Sequence, residues 1–285
     1  MSTTEDILTT ARQRLDHIRH LHWTGEPTTK VYSLLMHNNY TLDDVISQLP
    51  KIPLVRDLYA VKAQTLTLSG NVAFLDLGNH RVAERNYRTA ARIARRSSDP
   101  RLQAWIFSKM AQRRIYDPES DPTLLHDALY YSDTAKKCAD GNPILLASTY
   151  NTKAEVYASL GHEVKAMRTL DQASEQLRIA SVGSPAWHSN FGPQKVSSME
   201  GACWLRLGNA RRAVAASESA LAGEYEDKAH ETIVLADAAR GWAMLGDRER
   251  AVHLLSRAMP TAIAMNSVAR TERIRLARAA ILQSA

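Results

Sequence analysis

The chain has 285 residues, 45% of them hydrophobic with only three Phe, and a formal net charge of +6. Two cysteines, 12 Gly and 10 Pro exclude a disulfide framework and a low-complexity chain, and leave Ala, Leu, Val and Tyr to build a helical core. No apolar run reaches the roughly 18 residues of a membrane-crossing helix, and MSTTEDILTTARQRLDHIRH lacks a basic start followed by an apolar stretch, so the expected location is cytoplasmic.

Residues 1–64 predict a helical cap. TTEDILTTARQRLDHIRHL opens with Thr and acids, as a helix N-terminus favours. EPTTKVYSLLMHN and TLDDVISQL read as two further helices, the second capped by Thr41. HIRHLH brings His17 and His20 to one face, with His22 elsewhere. No Cys or carboxylate stands at matching spacing, so no metal is expected.

Residues 65–285 repeat, continuous with the cap as one domain. Around Gly208 stand Gly201, Trp204, Ala213 and Ala220, at offsets −7, −4, +5 and +12. The same offsets give Ala154, Tyr157, Ala166 and Ala173 around Gly161, and Ala239, Trp242, Ala251 and Ala258 around Gly246. Around Gly78 they give Phe74, Ala83 and Ala90, but Asn71 at the small position. A small residue lets two helices approach, an aromatic fills the space between units, and Gly makes the turn. The two Ala lie on the inner stripe of the second helix. A fifth unit has Ala128 and Ala135 without the Gly, with RLQAWIFSKMAQRRIY (101–116) as its first helix and an enlarged DPESDP loop. A second loop is expected at 181–193, and a terminal helix over 267–283 covers the last repeat.

This pattern resembles the tetratricopeptide repeat (TPR), a helix pair of about 34 residues. The predicted fold is all-α: a TPR-like right-handed superhelix of about five repeats with an N-terminal cap and a C-terminal capping helix.

Such an array presents a concave surface from the first (A) helices of its pairs. Groove-facing offsets select Asp76, Ser148, Asn151, Glu155, Lys195, Ser198, Arg206, Arg240 and Met244. The fifth unit adds Trp105, Gln112 and Tyr116. Mixed charges, amides and aromatics suit a peptide or polar metabolite held by side-chain hydrogen bonds. Replacing Arg206 and Arg240 together is expected to abolish binding while leaving helical content intact.

Residues 81–114 concentrate charge, with ten Lys or Arg against Glu84 and Asp99. Arg81, Arg85, Arg88, Arg92 and Arg96 share one helical face. No aromatics interleave to stack bases, so the face reads as solvated, not as a nucleic-acid site. Cys203, between Gly201 and Trp204, reads as a buried packing thiol.

Three stretches are similar to a known family: ARQRLDHIRHL, LSGNVAFLDLGNHRVAERNYRTAARIARRSSDPRLQAWIFSKMAQ, and PAWHSNFGPQKVSSMEGACWLRLGNARRAVAASESAL. They resemble the C-terminal TPR regions of actinobacterial helix-turn-helix regulators of the XRE type, over residues 11–260. The resemblance implies binding of a small molecule, peptide or partner protein, and dimerisation. It begins near residue 11, which leaves no room before it for the family's DNA-binding domain.

The expected function is therefore a sensor or adaptor linked to transcriptional regulation, with a peptide or small metabolite in its concave groove. The alternatives are a scaffold for biosynthetic or signalling enzymes and a noncanonical enzyme with a dispersed active site. No P-loop, nucleophile elbow, dinucleotide fingerprint or zinc-protease motif is present, so no catalytic residue and no cofactor is assigned.

Overall fold

The computed structural model describes residues 4–49, 53–99, 101–116, 122–180 and 191–283. Among them are thirteen α-helices and no strand. Helices α1 (Thr4–Thr24) and α2 (Thr28–Gln48) precede five pairs. These are α3 (Pro53–Asn71) with α4 (His80–Ala94), α5 (Leu102–Ile115) with α6 (Pro122–Cys138), α7 (Pro143–Ser159) with α8 (Glu163–Ile179), α9 (Pro193–Arg206) with α10 (Ala210–Leu221), and α11 (Lys228–Met244) with α12 (Arg248–Met265). Helix α13 (Val268–Gln283) ends the described chain. This is an all-α solenoid of TPR-like pairs.

The sequence offsets have the expected physical roles. Ala83, Ala90, Ala128, Ala135, Ala166, Ala173, Ala213, Ala220, Ala251 and Ala258 are all buried. Gly78, Gly161, Gly208 and Gly246 turn four of the five A helices into their partners with positive φ, where glycine carries no Cβ penalty. Asn79, Asn209 and Asp247 then cap α4, α10 and α12, each accepting a backbone N–H three residues on. The loops expected at 117–122 and 181–193 lie largely outside the described residues.

Two local expectations are corrected. The second and third cap helices are one helix, α2, and Thr41 lies inside it. Its hydroxyl donates to the His37 carbonyl four residues back, so it caps nothing and the helix passes through. The division between residues 64 and 65 falls inside α3, which runs unbroken and serves as the A helix of the first pair.

The first pair carries one extra residue. Elsewhere the residue after the turn Gly donates to the carbonyl of the aromatic five back: His162 to Tyr157, Asn209 to Trp204, Asp247 to Trp242. Asn79 instead reaches six back, to Ala73, because Val72–Asp76 is a π-helical turn. The insertion also explains Asn71. The small position has slipped back one residue to Gly70, where an added Cβ would lie 2.5 Å from Tyr87 Cε1. Tyr87 is fully buried and donates to Asn71 Oδ1 at 2.7 Å. Gly70→Ala gains about 1 kcal/mol in helix propensity but displaces a ring with no free side. The expected net loss is about 1–3 kcal/mol, read from the urea unfolding midpoint.

A helices contact successive A helices: α3 on α5, α5 on α7, α7 on α9, α9 on α11. The line then closes. Helix α1 touches both α3 and α11, while α13 packs on α11 and on the π-helical turn. The two ends of the array are therefore joined, α1 to α11 and α13 to the π-helical turn, and an open groove becomes a walled cavity. Helix α13 is more than a cover on the last repeat.

Candidate functional site

The cavity has a volume of about 1030 Å³, at the upper end of small-molecule sites. Each A helix contributes one face at helical spacing. From α5 come Trp105, Lys109, Gln112 and Tyr116. From α7 come Ser148, Asn151 and Thr152. From α9 come Lys195, Ser198, Met199, Ala202, Leu205 and Arg206. Helix α11 adds His230, Ile233, Asp237 and Arg240, and α13 adds Arg270 and Arg273. Trp23, Phe74 and Phe191 supply apolar surface.

A continuous network joins five helices, α5, α7, α9, α11 and α13. Tyr116 donates its hydroxyl to Glu155 Oε1, which also accepts from Arg206 Nη2 at 3.1 Å. Arg273 Nη2 donates to the same Tyr116 oxygen at 2.7 Å, and its Nη1 meets Asp237 Oδ2. The Arg206 guanidinium lies 4.8 Å from the centre of the Tyr116 ring. Burial pushes the Tyr116 phenol up to about 12, so it stays a donor.

Near the N-terminal ends of α9 and α11, Lys195 Nζ donates to Asp227 Oδ2 at 2.7 Å. Burial alone would raise the Asp227 carboxyl. The Lys195 ammonium and His230 outweigh it, and the carboxylate stays ionised. Ser198 Oγ and His230 Nε2 lie 3.0 Å apart. Burial, with Lys195 beside it, holds the His230 imidazole well below its usual range and therefore neutral at pH 7.

A third cluster seals the ring. Asp76 is buried and accepts from Ser267 Oγ at 2.7 Å and from Arg270 Nη1. His22 Nε2 lies 3.0 Å from its other oxygen, and Arg270 Nε donates to the Ala229 carbonyl at 2.8 Å. Four elements (α1, the π-helical turn, α11 and α13) are thus tied at one point. Burial opposes the Asp76 charge, but the His22 hydrogen bond and the Arg270 charge prevail and hold its carboxyl below the usual carboxylate range.

The structure brings Asn151, Lys195, Ser198, Arg206 and Arg240, with Ser148, Trp105, Gln112 and Tyr116, to one cavity. Three residues are placed otherwise. Asp76 belongs to the seal, because the π-helical turn rotates it off the groove face. Glu155 is fully buried behind the wall, committed to Tyr116 and Arg206. Met244 is 44% exposed at the far end of α11, outside the cavity. Arg206 is engaged by Glu155, so the Arg206 and Arg240 double substitution would disturb structure together with any ligand.

Sequence offsets missed Lys109, His230, Asp237, Arg270 and Arg273. For Arg270 and Arg273 the signal was present as two Arg three apart on one face of RTERIRLAR, a helix read only as a cover. Arg81, Arg85, Arg88 and Arg92 form an exposed face of α4, with Arg88 donating to Glu84 at 2.6 Å, and Arg96, in the turn after the helix, is stacked 4.2 Å over Tyr59. Cys203 is buried, and burial pushes its thiol up. Among the described residues no group of three or more His, Cys, Asp or Glu is arranged to hold a metal, and no helix is long and apolar enough to cross a membrane.

Fold and cavity define a class: a helical-repeat protein of TPR-like pairs whose A helices surround a cavity lined by apolar and polar side chains together. Among solved structures, the chain is similar to a Rap protein complexed with competence and sporulation factor, with TM-score 0.58 and 14% identity over 97% of this chain and 85% of that one. It also aligns with BtubC (BKLC) from P. vanneervenii, with TM-score 0.46 and 19% identity over 93% of each chain. No family model and no curated relative matches the chain. At these identities the likeness is one of fold.

Proposed function

We propose that the protein is a sensor or adaptor that binds a peptide or small polar metabolite inside the ring of A helices. The observation that carries this reading is the cavity itself. Five units, α1 and α13 surround about 1030 Å³ lined by mixed aromatics, amides and charges, the composition that fixes a ligand's orientation. The similar Rap fold was solved in complex with competence and sporulation factor, which favours a ligand-holding use of such an array. A link to transcription rests on the resemblance to the TPR halves of XRE-type regulators. Occupancy would be transmitted at the seal, since a ligand touching α11 and α13 acts on the element that joins the two ends.

Native mass spectrometry of the protein purified at low ionic strength from its own host tests this. The expected result is a retained small mass or peptide that is lost in Arg240→Met, a cation without a carboxylate partner in the wall. The same spectrum reads whether the chain dimerises. A stoichiometric protein subunit with no small mass would replace this reading with a scaffold.

A further inference from the structure

The chain's positive charge is gathered at one place. Residues 81–114 hold ten Lys or Arg and two acids, a charge of +8, so the rest of a chain of net +6 carries −2. Arg81, Arg85, Arg88 and Arg92 stand exposed along one face of α4 and, with Glu84 and Thr89, line a groove of about 430 Å³. None of the four arginines lines the ligand cavity. Glu84 is the one carboxylate in this groove, and it is already taken. It accepts from Arg88 at 2.6 Å and from Arg113 at 2.8 Å, with Arg114 at 3.8 Å. Arg81, Arg85 and Arg92 have no ion-pair or hydrogen-bond partner for their side chains among the described residues.

Like charges three and four residues apart repel on a helix and weaken it. Other second helices of the pairs avoid this. The exposed positions of α8 alternate Glu163, Asp171 and Glu175 with Lys165, Arg168 and Arg178, and α6 sets Asp127 and Asp133 against Lys136 and Lys137. The α4 stripe is left self-repelling, and carboxylates brought from outside relieve it. The stripe is also narrow. Arg114 ties Glu84 to Asp127 on α6, and Asp127 is 56% exposed beside it. A broad polyanion such as a nucleic-acid duplex would press its phosphates against that carboxylate. One helix laid along α4 would not, and acids on its face would match the arginines, whose Cβ atoms follow each other at about 5–6 Å.

We propose that the exposed face of α4 docks an acidic helical segment of a partner protein, with Arg81, Arg85 and Arg92 each receiving a carboxylate. This surface lies apart from the cavity, so it stands or falls independently of what the cavity holds.

The test uses the full chain and short fluorescein-labelled probes, read by fluorescence anisotropy at low salt. One probe is an alanine-based helical peptide with Glu at every third or fourth position. A second has Gln in place of each Glu. A third is a DNA duplex of similar length. The expected result is binding of the Glu peptide about 10-fold tighter than the Gln peptide, since three exposed charge pairs act together, and a preference that shrinks as salt is added. Combining Arg81→Gln, Arg85→Gln and Arg92→Gln should remove the preference. These side chains are exposed and repel one another, so the variant should keep the wild-type circular dichroism and melt no lower than wild type. Combining Arg168→Gln, Arg211→Gln and Arg248→Gln changes the net charge equally at exposed positions of other helices, and should bind the Glu peptide as wild type does. No binding of the Glu peptide, equal affinity for both peptides, or equal losses in the two triple variants overturns docking on α4. Tighter binding of the duplex than of the Glu peptide, lost only in the α4 variant, makes the face a nucleic-acid surface and overturns the acidic partner.

Discussion

Arg270→Met is expected to lower the unfolding free energy by about 3–5 kcal/mol, because it strips a fully buried carboxylate of its counterion. Asp76 would keep only Ser267 and His22 around it, and the Ala229 carbonyl would lose its donor. The cost falls on the uncompensated charge, so Asp76→Asn added to Arg270→Met should recover part of it. Urea unfolding of both single variants and the double variant measures this coupling. Acid titration supplies an independent check with a defined sign. The folded-state value of Asp76 is depressed, so its contribution is present above the ordinary aspartate range of about 4 and is lost as pH falls through the folded value. Asp76→Asn should lack that part of the acid slope. A loss below about 1 kcal/mol in Arg270→Met, with an unchanged acid slope in Asp76→Asn, would mean that the ring is held elsewhere.

Glu155→Ala should cost about 2–4 kcal/mol. The carboxylate is fully buried and accepts from both Tyr116 and Arg206, which come from different A helices. Its removal frees Arg206 and leaves the Tyr116 hydroxyl with only the Arg273 donor. Glu155→Gln retains one acceptor and should lose less than Glu155→Ala. Arg240→Met, at a half-buried position without an ion-pair partner, should stay within about 0.5 kcal/mol of wild type. Denaturation of the three variants separates wall architecture from ligand contact. Wild-type stability in Glu155→Ala combined with lost ligand retention would return Glu155 to the role that its groove offset suggested.

The repeat was legible because it rests on short-range chemistry. The turn glycines, the caps at Asn79, Asn209 and Asp247, and the alanine pairs seven apart are fixed within one helix pair. The A-helix faces followed from counting, which brought Asn151, Lys195, Ser198, Arg206 and Arg240 to the cavity. Asp76 shows where counting fails. The π-helical turn inserts one residue, and every offset through it is rotated. Asn71 at a small position was the visible trace of that insertion. Met244 fails for another reason: α11 runs past the cavity before it ends. Closure of the ring was not legible, because it depends on the sum of small rotations across five units and no local pattern encodes that sum.

An open solenoid folds by nearest-neighbour propagation, and damage at one end stays local. The bonds from Asp76 to Ser267 and Arg270 span 191 and 194 residues, so the seam adds contacts of very high sequence separation. Folding then carries a late, slow closure step that the repeats alone do not impose. Once that step is complete, opening of the Asp76 seam loosens its contacts to α1 and to α13 together, and amides beside the seam in the two distant helices should exchange at matched rates.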